Sequence, residues 1–469
     1  MAPTPADAAE YCVHAAADPC TGQIDKGNDL QAALDAAAAD EADDTIHLGP
    51  GEYLAPTGQA FDYDAPFLGP TGGELHIVGS GSGSGGTLLK ADDGNIVYTL
   101  SIQSQAKTLV ENLAIAVPNG SHGGQNVGVA MVGSAGSQTS IHVLDGVAIK
   151  FPANPSVGSG PLVGAYLQNA TFRNGTATGP VPSSVPMTGV SSAGNDLVED
   201  ATIKAGTAVY MQSEGTARRI DATGDKGFEL VSHSGAGEFT VEDVLWRPPT
   251  GETGIRGLDA SCGSLAGIQV TLRNATFWAT PGSGGSTSIS CAPASSHAHL
   301  DIDSSILGGG GKAILIGTGP DVTVGVSYSN FDPATIQAAD PADVQQGSGN
   351  TNLTPGFVGA TDFHLGSGSL LLDKGNPAAL ASGESTTDLA GNPRVVQACT
   401  APPARRDMGA YEYQTPPPGT CDGTDNVTVT FDSAGGSSVA PATVPLGTAV
   451  TKPTNPTRSG YTFQGWFTA

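Results

Sequence analysis

A four-residue pattern, polar then apolar, any residue and then apolar again, recurs along the middle of the chain. Its copies begin at Asn112, Gly146, Asn169, Asp200, Asp221, Asp243, Asn274 and Asp303. They lie 21 to 34 residues apart, and the intervals are rich in Gly, Ser, Thr and Asn. Alternation with a period of two predicts a short strand, so each repeat supplies one strand and a loop.

A strand that recurs at this interval predicts one coil of a parallel β-helix. Stacked coils bury a continuous apolar column that no single coil can bury. The strands of a β-sandwich would instead recur about every 8 to 12 residues, with hairpin turns between them. The predicted fold class is therefore all-β: a right-handed parallel β-helix with a short N-terminal capping helix and a small C-terminal β-rich repeat module.

The open end of a β-helix has to be covered. Residues 28–41 carry the one clear helical pattern, with Leu30, Leu34 and Ala38 on one face. We therefore assign residues 1–44 to an N-terminal segment with a capping helix, and residues 45–352 to the coils.

Composition narrows the classes of partner. The 469 residues carry 19 Lys and Arg against 45 Asp and Glu, a formal charge of -26, which excludes a basic footprint for nucleic acid. We expect no membrane insertion, since no apolar run reaches about 18 residues. The start, Met1 to Pro5, has neither the basic stretch nor the apolar run of a signal peptide. We expect a monomer.

Six cysteines form three pairs that are local in sequence. The pairs are Cys12 with Cys20, Cys262 with Cys291, and Cys399 with Cys421. An even number of locally paired cysteines without zinc-site spacing predicts disulfides and an oxidising compartment.

The opening and the coils resemble the exported right-handed parallel β-helix proteins, a family that includes pectate lyases and polygalacturonases. Residues 353–413 resemble the choice-of-anchor Q end of bacterial surface β-helix proteins. The segments that carry this second resemblance are Gly356-Phe357-Val358, Leu371-Leu372-Asp373-Lys374-Gly375-Asn376-Pro377, Gly391-Asn392-Pro393-Arg394 and Asp407-Met408-Gly409-Ala410-Tyr411-Glu412. It implies an extracellular or cell-envelope location and no particular reaction.

The chain changes character after a Pro-rich linker at residues 414–425. Residues 426–469 are rich in Val and Thr and end on Gly460-Tyr461-Thr462-Phe463-Gln464-Gly465-Trp466. They resemble part of an internalin-type B-repeat, a small β-grasp-like module of surface proteins.

Stacking the repeats in register predicts columns of polar side chains about 4.8 Å apart on the outer face. One column holds Asp200, Asp221 and Asp243, with Asp225 close by. Crowded carboxylates raise at least one pKa or recruit a cation. The candidate catalytic residues are Asp200, Asp221, Asp225 and Asp243, and the candidate sugar-binding residues are Arg173, Lys204, Arg247 and Trp278.

Two other interpretations of the acidic column stay open. In the first, Asp and Asn form a polar turn ladder that accepts backbone hydrogen bonds, and the basic residues balance the charge. In the second, calcium binds Asp200, Asp221 and Asp243, although the sequence contains no linear calcium loop. We expect that no cofactor is required, and calcium is the metal that this column of carboxylates suits.

The sequence therefore predicts a secreted or cell-surface β-helix protein that binds a polysaccharide or surface glycan, as an adhesin or scaffold. The alternative is a polysaccharide lyase or glycoside hydrolase that acts on acidic polysaccharide through the Asp cluster. The motifs of polygalacturonases are missing, which weakens the enzyme hypothesis. A stalk that only holds another module away from the cell is the third hypothesis.

Overall fold

The protein folds as a parallel β-helix, as a computed structural model shows. The structure describes residues 8–14, 20–39, 42–65, 73–92, 97–120, 124–133, 142–156, 160–181, 183, 185–233, 235–249, 255–263, 266–279, 285–291, 297–317, 321–338, 340, 343–396, 405–414, 426–445 and 450–467. Each coil contributes a strand to sheet 1, a short strand to sheet 2 and a strand to sheet 3.

Sheet 1 contains the strand that opens each coil. Its strands are β1 (Glu10–Val13), β3 (Asp44–Leu48), β6 (Leu75–Gly79), β9 (Thr108–Glu111), β12 (His142–Asp145), β15 (Ala170–Arg173), β18 (Asp196–Lys204), β20 (Glu214–Thr223), β22 (Gly235–Glu242), β25 (Ala266–Arg273), β28 (Ala298–Asp303), β31 (Val322–Ser327) and β33 (Val344–Gln346), and β2 (Ile24–Asp25) pairs with β1. Neighbouring strands pair in parallel throughout.

Sheet 2 follows sheet 1 around a tight corner. Its strands are β4 (Gly51–Leu54), β7 (Thr87–Lys90), β10 (Ala114–Ala116), β13 (Ala148–Lys150), β16 (Thr176–Thr178), β23 (Leu245–Arg247), β26 (Thr276–Trp278) and β29 (Ile306–Gly308). β18 and β20 run through the corner and join both sheets, because their second halves pair with β16 and β23.

Sheet 3 closes each coil. Its strands are β5 (Phe61–Ala65), β8 (Tyr98–Ser104), β11 (Asn126–Val132), β14 (Leu162–Gln168), β17 (Met187–Ser192), β19 (Thr207–Gln212), β21 (Lys226–Ser232), β24 (Arg256–Cys262), β27 (Gly285–Cys291), β30 (Lys312–Ile316) and β32 (Ile336–Gln337). A 3-10 helix, η1 (Pro333–Thr335), precedes β32.

The core is the apolar column inside the coils. Inward positions of sheet 2 carry Ile115, Ile149, Ile203, Trp246 and Phe277, all at most 1% exposed. Glycines of sheet 3 leave room for these side chains: a Cβ on Gly227 would lie 2.7 Å from the Trp246 ring. Large residues on one sheet thus fit against small ones on another.

The N-terminal end is capped as the sequence predicts. Helix α1 (Leu30–Ala37) starts at Asp29, whose side chain accepts the backbone N–H of Ala32. Its buried face, which includes Leu30 and Leu34, joins the core of the first coils. The predicted fold class is confirmed.

The remaining structure lies C-terminal to the coils. Residues 353–396 and 405–413, here called the strap, fold back over the β-helix. In the final module, β34 (Asn426–Val429) pairs antiparallel with β35 (Ala442–Pro445). Trp466 packs there against Phe431 and Phe463, with ring centroids 5.2 and 5.3 Å away.

Candidate functional site

From β9 onward, the corner between sheets 1 and 2 is built on one residue per coil with left-handed backbone. These corner residues are Asn112, Gly146, Asn174, Asp200, Arg219, Asp243, Asn274, Ser304 and Tyr328, with φ between 45° and 64°. Asn, Asp and Gly adopt this conformation most readily, which explains why the repeat begins on them. Arg219 and Tyr328 hold it against their intrinsic preference.

The predicted register is wrong at three copies of the repeat. Asn174 occupies the corner in place of Asn169, Arg219 in place of Asp221, and Ser304 in place of Asp303. From β9 onward the turn takes two residues, or lies within a continuous strand in β18 and β20. The strands before the turn differ in length, so the polar residue nearest in sequence does not always reach the corner.

The predicted single column of three carboxylates is therefore also wrong. Asp200 and Asp243 are both corner residues, and the coil between them places Arg219 at the corner. Asp221 lies on the outer face of sheet 2, paired in register with Thr202 and Leu245.

Asp200 is held by the basic residue that takes the next corner. Arg219 Nε and Nη2 donate to its two carboxylate oxygens over 2.6 and 2.8 Å. The same Nη2 reaches Glu199 Oε2 at 2.9 Å, and Nη1 donates to Ser385 of the strap. The Asp200 carboxylate is thus engaged in an ion pair that also ties the strap to the corner.

The other predicted residues of the outer face are spread along the β-helix. Arg247 forms an ion pair with Asp221, and Arg173 forms one with Asp145 at 2.8 Å. Lys204 is exposed at the end of β18. Asp225 lies between β20 and β21, and its carbonyl accepts the N–H of Arg256.

Asp243 has no exposed surface. Its Oδ1 lies 3.4 Å from Nε of Arg394, a strap residue that is also fully buried. Burial raises the pKa of Asp243 to about 7, because the Arg394 charge offsets only part of the cost of removing the carboxylate from water. No substrate reaches this carboxyl group while the strap is in place.

The strap covers sheet 2 at the coils of β23, β26 and β29. Leu245, Thr276 and Ile306 are only 1% exposed, although they point outward, whereas Thr176 and Thr202 in the same column are exposed. Ala410 N–H donates to Thr276 Oγ1 at 2.9 Å, and Gly409 N–H donates to the Ser304 carbonyl at 2.8 Å.

Trp278 is covered by the same segment. Its ring packs edge-on against Phe357 of the strap, with centroids 5.0 Å apart. Both rings adjoin a small apolar cluster of Ile306, Leu365, Leu371 and Met408. The predicted sugar-stacking residue therefore serves as a docking point for the strap.

Buried ion pairs hold the strap from within. Arg406 pairs with Glu384, and both side chains are 3% exposed. Glu384 also lies 3.8 Å from Arg273 of sheet 1. Burial raises the pKa of Asp407 and of Glu412, and the Asp407 charge raises that of Glu412 further.

Sheet 1 carries a column of alternating charge that the repeat analysis missed. The column, here called the charge ladder, consists of Asp145, Arg173, Glu199, Arg218, Glu242, Arg273 and Asp303, one residue per coil. Each arginine pairs with the acid of the preceding coil, at 2.7 to 2.8 Å. Each ladder residue directly precedes a corner residue in the sequence. A correct prediction of the corner positions would therefore have revealed the column.

The outer face of sheet 3 carries a second column that the sequence analysis missed. Tyr166 and Gln168 end β14, and Tyr210 and Gln212 end β19 two coils further on. Ser191 lies between the two tyrosines in the ladder of Cα partners, and it is only 6% exposed. These four half-buried side chains, with the exposed Tyr98, are here called the tyrosine face.

Charged residues adjoin the tyrosine face on its C-terminal side. Lys226 bridges Glu229 and Asp259, the latter at 3.0 Å. Burial raises the pKa of both Tyr166 and Tyr210, so their hydroxyl groups stay neutral donors at physiological pH.

Comparison with known proteins found a match for the C-terminal module and a similar solved structure. The Listeria-Bacteroides repeat domain matches residues 428–469, within the module predicted at 426–469. The crystal structure of pectate lyase Pel9A aligns with 87% of this chain and 97% of that chain, with a TM-score of 0.42 and 11% sequence identity. No curated protein matches the chain.

The disulfide prediction is confirmed for Cys12 and Cys20, whose Cα atoms are 5.8 Å apart. Cys262 is disulfide-bonded, and Cys291 lies opposite it in the strand register. The side chain of Cys291, and the predicted pair Cys399 and Cys421, fall outside the described residues.

The described residues do not bring Asp200, Asp221 and Asp243 together as metal ligands. The one grouping of His, Cys and acidic side chains found there is His14, Cys20 and Asp25, and Cys20 is committed to its disulfide. No helix among the described residues is both long and apolar enough to cross a membrane.

Proposed function

We propose that this chain is an exported or cell-surface protein that binds neutral polysaccharide on the tyrosine face of sheet 3. The observation that carries the proposal is the repetition of Tyr-x-Gln at two-coil spacing on an outer sheet face. Two coils span about 9.6 Å. This is the length scale of two linked sugar rings, so a chain lying along the β-helix axis meets the same pair of side chains repeatedly.

The chemistry of these side chains suits a sugar chain. Tyrosine offers a flat apolar ring and one hydroxyl group, and few torsions have to be fixed on binding. Glutamine supplies both donors and an acceptor for ring hydroxyl groups. An aromatic surface flanked by amides therefore matches the mixed apolar and polar faces of a pyranose.

Charge favours a neutral glycan over an acidic one. The whole chain carries a formal charge of -26, which repels polyanions. Lys226, a basic residue of sheet 3 whose charge acts on Tyr210, is already engaged by Glu229 and Asp259. Binding of acidic polysaccharide at the Asp cluster is the weaker hypothesis, because Asp243 is buried and Asp200 is held by Arg219.

The architecture, rather than the site, supports the proposed location. A solenoid followed by a bacterial repeat module is compatible with an extracellular or cell-envelope position, and the resemblance of the strap to a choice-of-anchor Q end points the same way. We propose that the strap completes the β-helix as a display unit and that the repeat module continues the exposed part of the protein.

Calorimetric titration with cellohexaose, mannohexaose and a hexamer of galacturonate tests the proposal. We expect one of the neutral hexamers to bind and the acidic one to bind more weakly. The double variant Tyr166→Ala/Tyr210→Ala should lose about tenfold in affinity, since each ring contributes about 0.5 to 1.5 kcal/mol. Tyr461→Ala, which removes an exposed ring from the C-terminal module, is the matched control.

Two outcomes would contradict the proposal. Unchanged affinity in the double variant would place the binding site elsewhere on the molecule. Absence of binding to every hexamer would leave the stalk hypothesis as the better description.

A further inference from the structure

A cleft lies on sheet 1, whereas the tyrosine face lies on sheet 3. It is formed between the outer face of sheet 1, at strands β25, β28, β31 and β33, and strap residues 376–384. Its volume is about 680 Å³, within the range of about 300 to 1,000 Å³ that is typical of small-molecule sites.

Gly325 keeps the floor of the cleft open. A Cβ at this position would lie 2.8 Å from Oδ1 of Asp301, in the space that the cleft occupies. Gly325 does not have a positive φ, so its backbone conformation does not require glycine. A glycine inside a strand weakens it and often marks the close approach of a ligand.

The basic groups in the cleft are already neutralised. Arg273 pairs with Glu242 at 2.7 Å, and Arg406 pairs with Glu384. Neither guanidinium therefore carries an unbalanced charge that would select an anionic ligand.

The remaining polar groups suit a ligand rich in hydroxyl groups. Asp301, whose side chain is 53% exposed, offers carboxylate oxygens next to His299 at 3.0 Å. Gln345 and Gln346 are exposed amides on β33, and each both donates and accepts. The Asp301 carboxylate repels a carboxylate or phosphate and accepts from hydroxyl groups, and the two amides can pair with hydroxyl groups as donors or acceptors.

The strap supplies the facing wall. Asn376 is fixed there by donating to Asp303 Oδ2 at 2.5 Å from its side chain and to Ser304 Oγ at 2.9 Å from its backbone. The cleft therefore exists only while the strap is docked, and a ligand that binds both walls stabilises the docked state.

We infer that this cleft is a second carbohydrate site, which takes one or two neutral sugar units at a chain end or branch. This inference does not depend on sugar binding at the tyrosine face, because the two sites share no residue. A protein with both sites holds a polysaccharide chain along one side and a terminal sugar on another.

Saturation-transfer NMR with cellobiose, mannobiose, xylobiose and lactose, each at millimolar concentration, tests the inference on the full chain. Digalacturonate is the anionic comparison. We expect at least one neutral disaccharide to bind the wild-type protein and the Tyr166→Ala/Tyr210→Ala variant equally. Digalacturonate should give no signal above that of the free sugar.

Gly325→Gln fills the floor of the cleft, and we expect it to weaken binding at least tenfold. The substitution keeps an ordinary strand backbone, and its Cβ would lie 2.8 Å from Asp301 Oδ1 and 3.9 Å from the His299 ring. Thermal unfolding checks that the fold persists. Gln345→Ala removes one exposed amide without filling space and should weaken binding by a smaller factor. Asp321→Gln, an exposed residue of the same coil outside the cleft, is the control.

Binding that persists in Gly325→Gln would overturn the inference, as would the failure of all four neutral disaccharides to bind. Loss of disaccharide binding in Tyr166→Ala/Tyr210→Ala alone would also overturn it, by assigning the sugar to the tyrosine face. Failure of the hexamer titration with retained disaccharide binding would contradict the proposed function and leave the cleft intact.

Discussion

Asp243 allows a sharp test of how the strap is held. Asp243→Asn removes the charge and keeps the size of the side chain, and Asn adopts the left-handed backbone of the corner as readily as Asp does. Asp200→Asn makes the same change at an equivalent corner two coils away. The Asp200 carboxylate is 37% exposed and accepts hydrogen bonds from Arg219, so Asp200→Asn is the matched control.

The magnitude follows from proton linkage. In the unfolded chain the pKa of Asp243 has its ordinary value of 3.8, and in the folded protein burial raises it to about 7. Between these values the folded protein keeps a proton that the unfolded chain has lost. The stability that comes from the neutral form is complete below about pH 4 and falls by about 1.4 kcal/mol per pH unit up to pH 7, about 4 kcal/mol in all.

Scanning calorimetry of wild type and both variants from pH 4 to pH 8 measures this loss. Asp243→Asn has no proton to release, so its Tm should rise relative to wild type as the pH increases. For a chain of this size 1 kcal/mol corresponds to about 1 °C, which gives a relative rise of about 4 °C. Asp200→Asn should run parallel to wild type.

The opposite trend would refute the reasoning. If Asp243→Asn loses stability relative to wild type as the pH rises, the carboxylate is ionised and Arg394 stabilises it, so its pKa is low. Parallel profiles for all three proteins would show that the pKa of Asp243 is not shifted.

Two further predictions concern the charge ladder and the strap. Arg273→Met leaves Glu242, which is 1% exposed, without its partner and should cost about 3 to 5 kcal/mol of unfolding free energy. Arg218→Met should cost less than about 1 kcal/mol, because Glu199 keeps Arg219; equal losses in urea denaturation would contradict this difference. Phe357→Ala uncovers Trp278 and should shift tryptophan fluorescence to longer wavelength, whereas Leu370→Ala, at a strap residue 64% exposed, should leave the spectrum unchanged.

The sequence predicts the coils because the corner conformation restricts which residues begin each repeat. Asn112, Asp243 and Asn274 begin predicted repeats and have the left-handed corner backbone in the structure. Arg219 was missed because arginine is not expected with left-handed backbone, and its ion pairs with Glu199 and Asp200 compensate the local cost. Local pattern thus sets the architecture, while exceptions depend on contacts between coils.

The strap could not be placed from sequence, because its contacts join residues far apart in the chain. One signal was present. Outward positions of sheet 2 change from Thr202 and Asp221 to Leu245 and Ile306, and apolar side chains on an outer face indicate that something covers them. The tyrosine face is marked in the sequence by two copies of Tyr-x-Gln. The copies are recognisable as a repeat only once they are known to lie two coils apart.

Alternation along the charge ladder constrains how such a protein lengthens or shortens. Removing one coil would set two like charges against each other in adjacent strands, and so would duplicating one. Copying two coils together restores the order of acid and base. Between Asp145 and Asp303 the pair of coils, rather than the single coil, is therefore the unit that can be copied without setting like charges against each other, and the two copies of Tyr-x-Gln on sheet 3 have the same spacing. N-terminal to this stretch Glu111 already lies opposite Asp145.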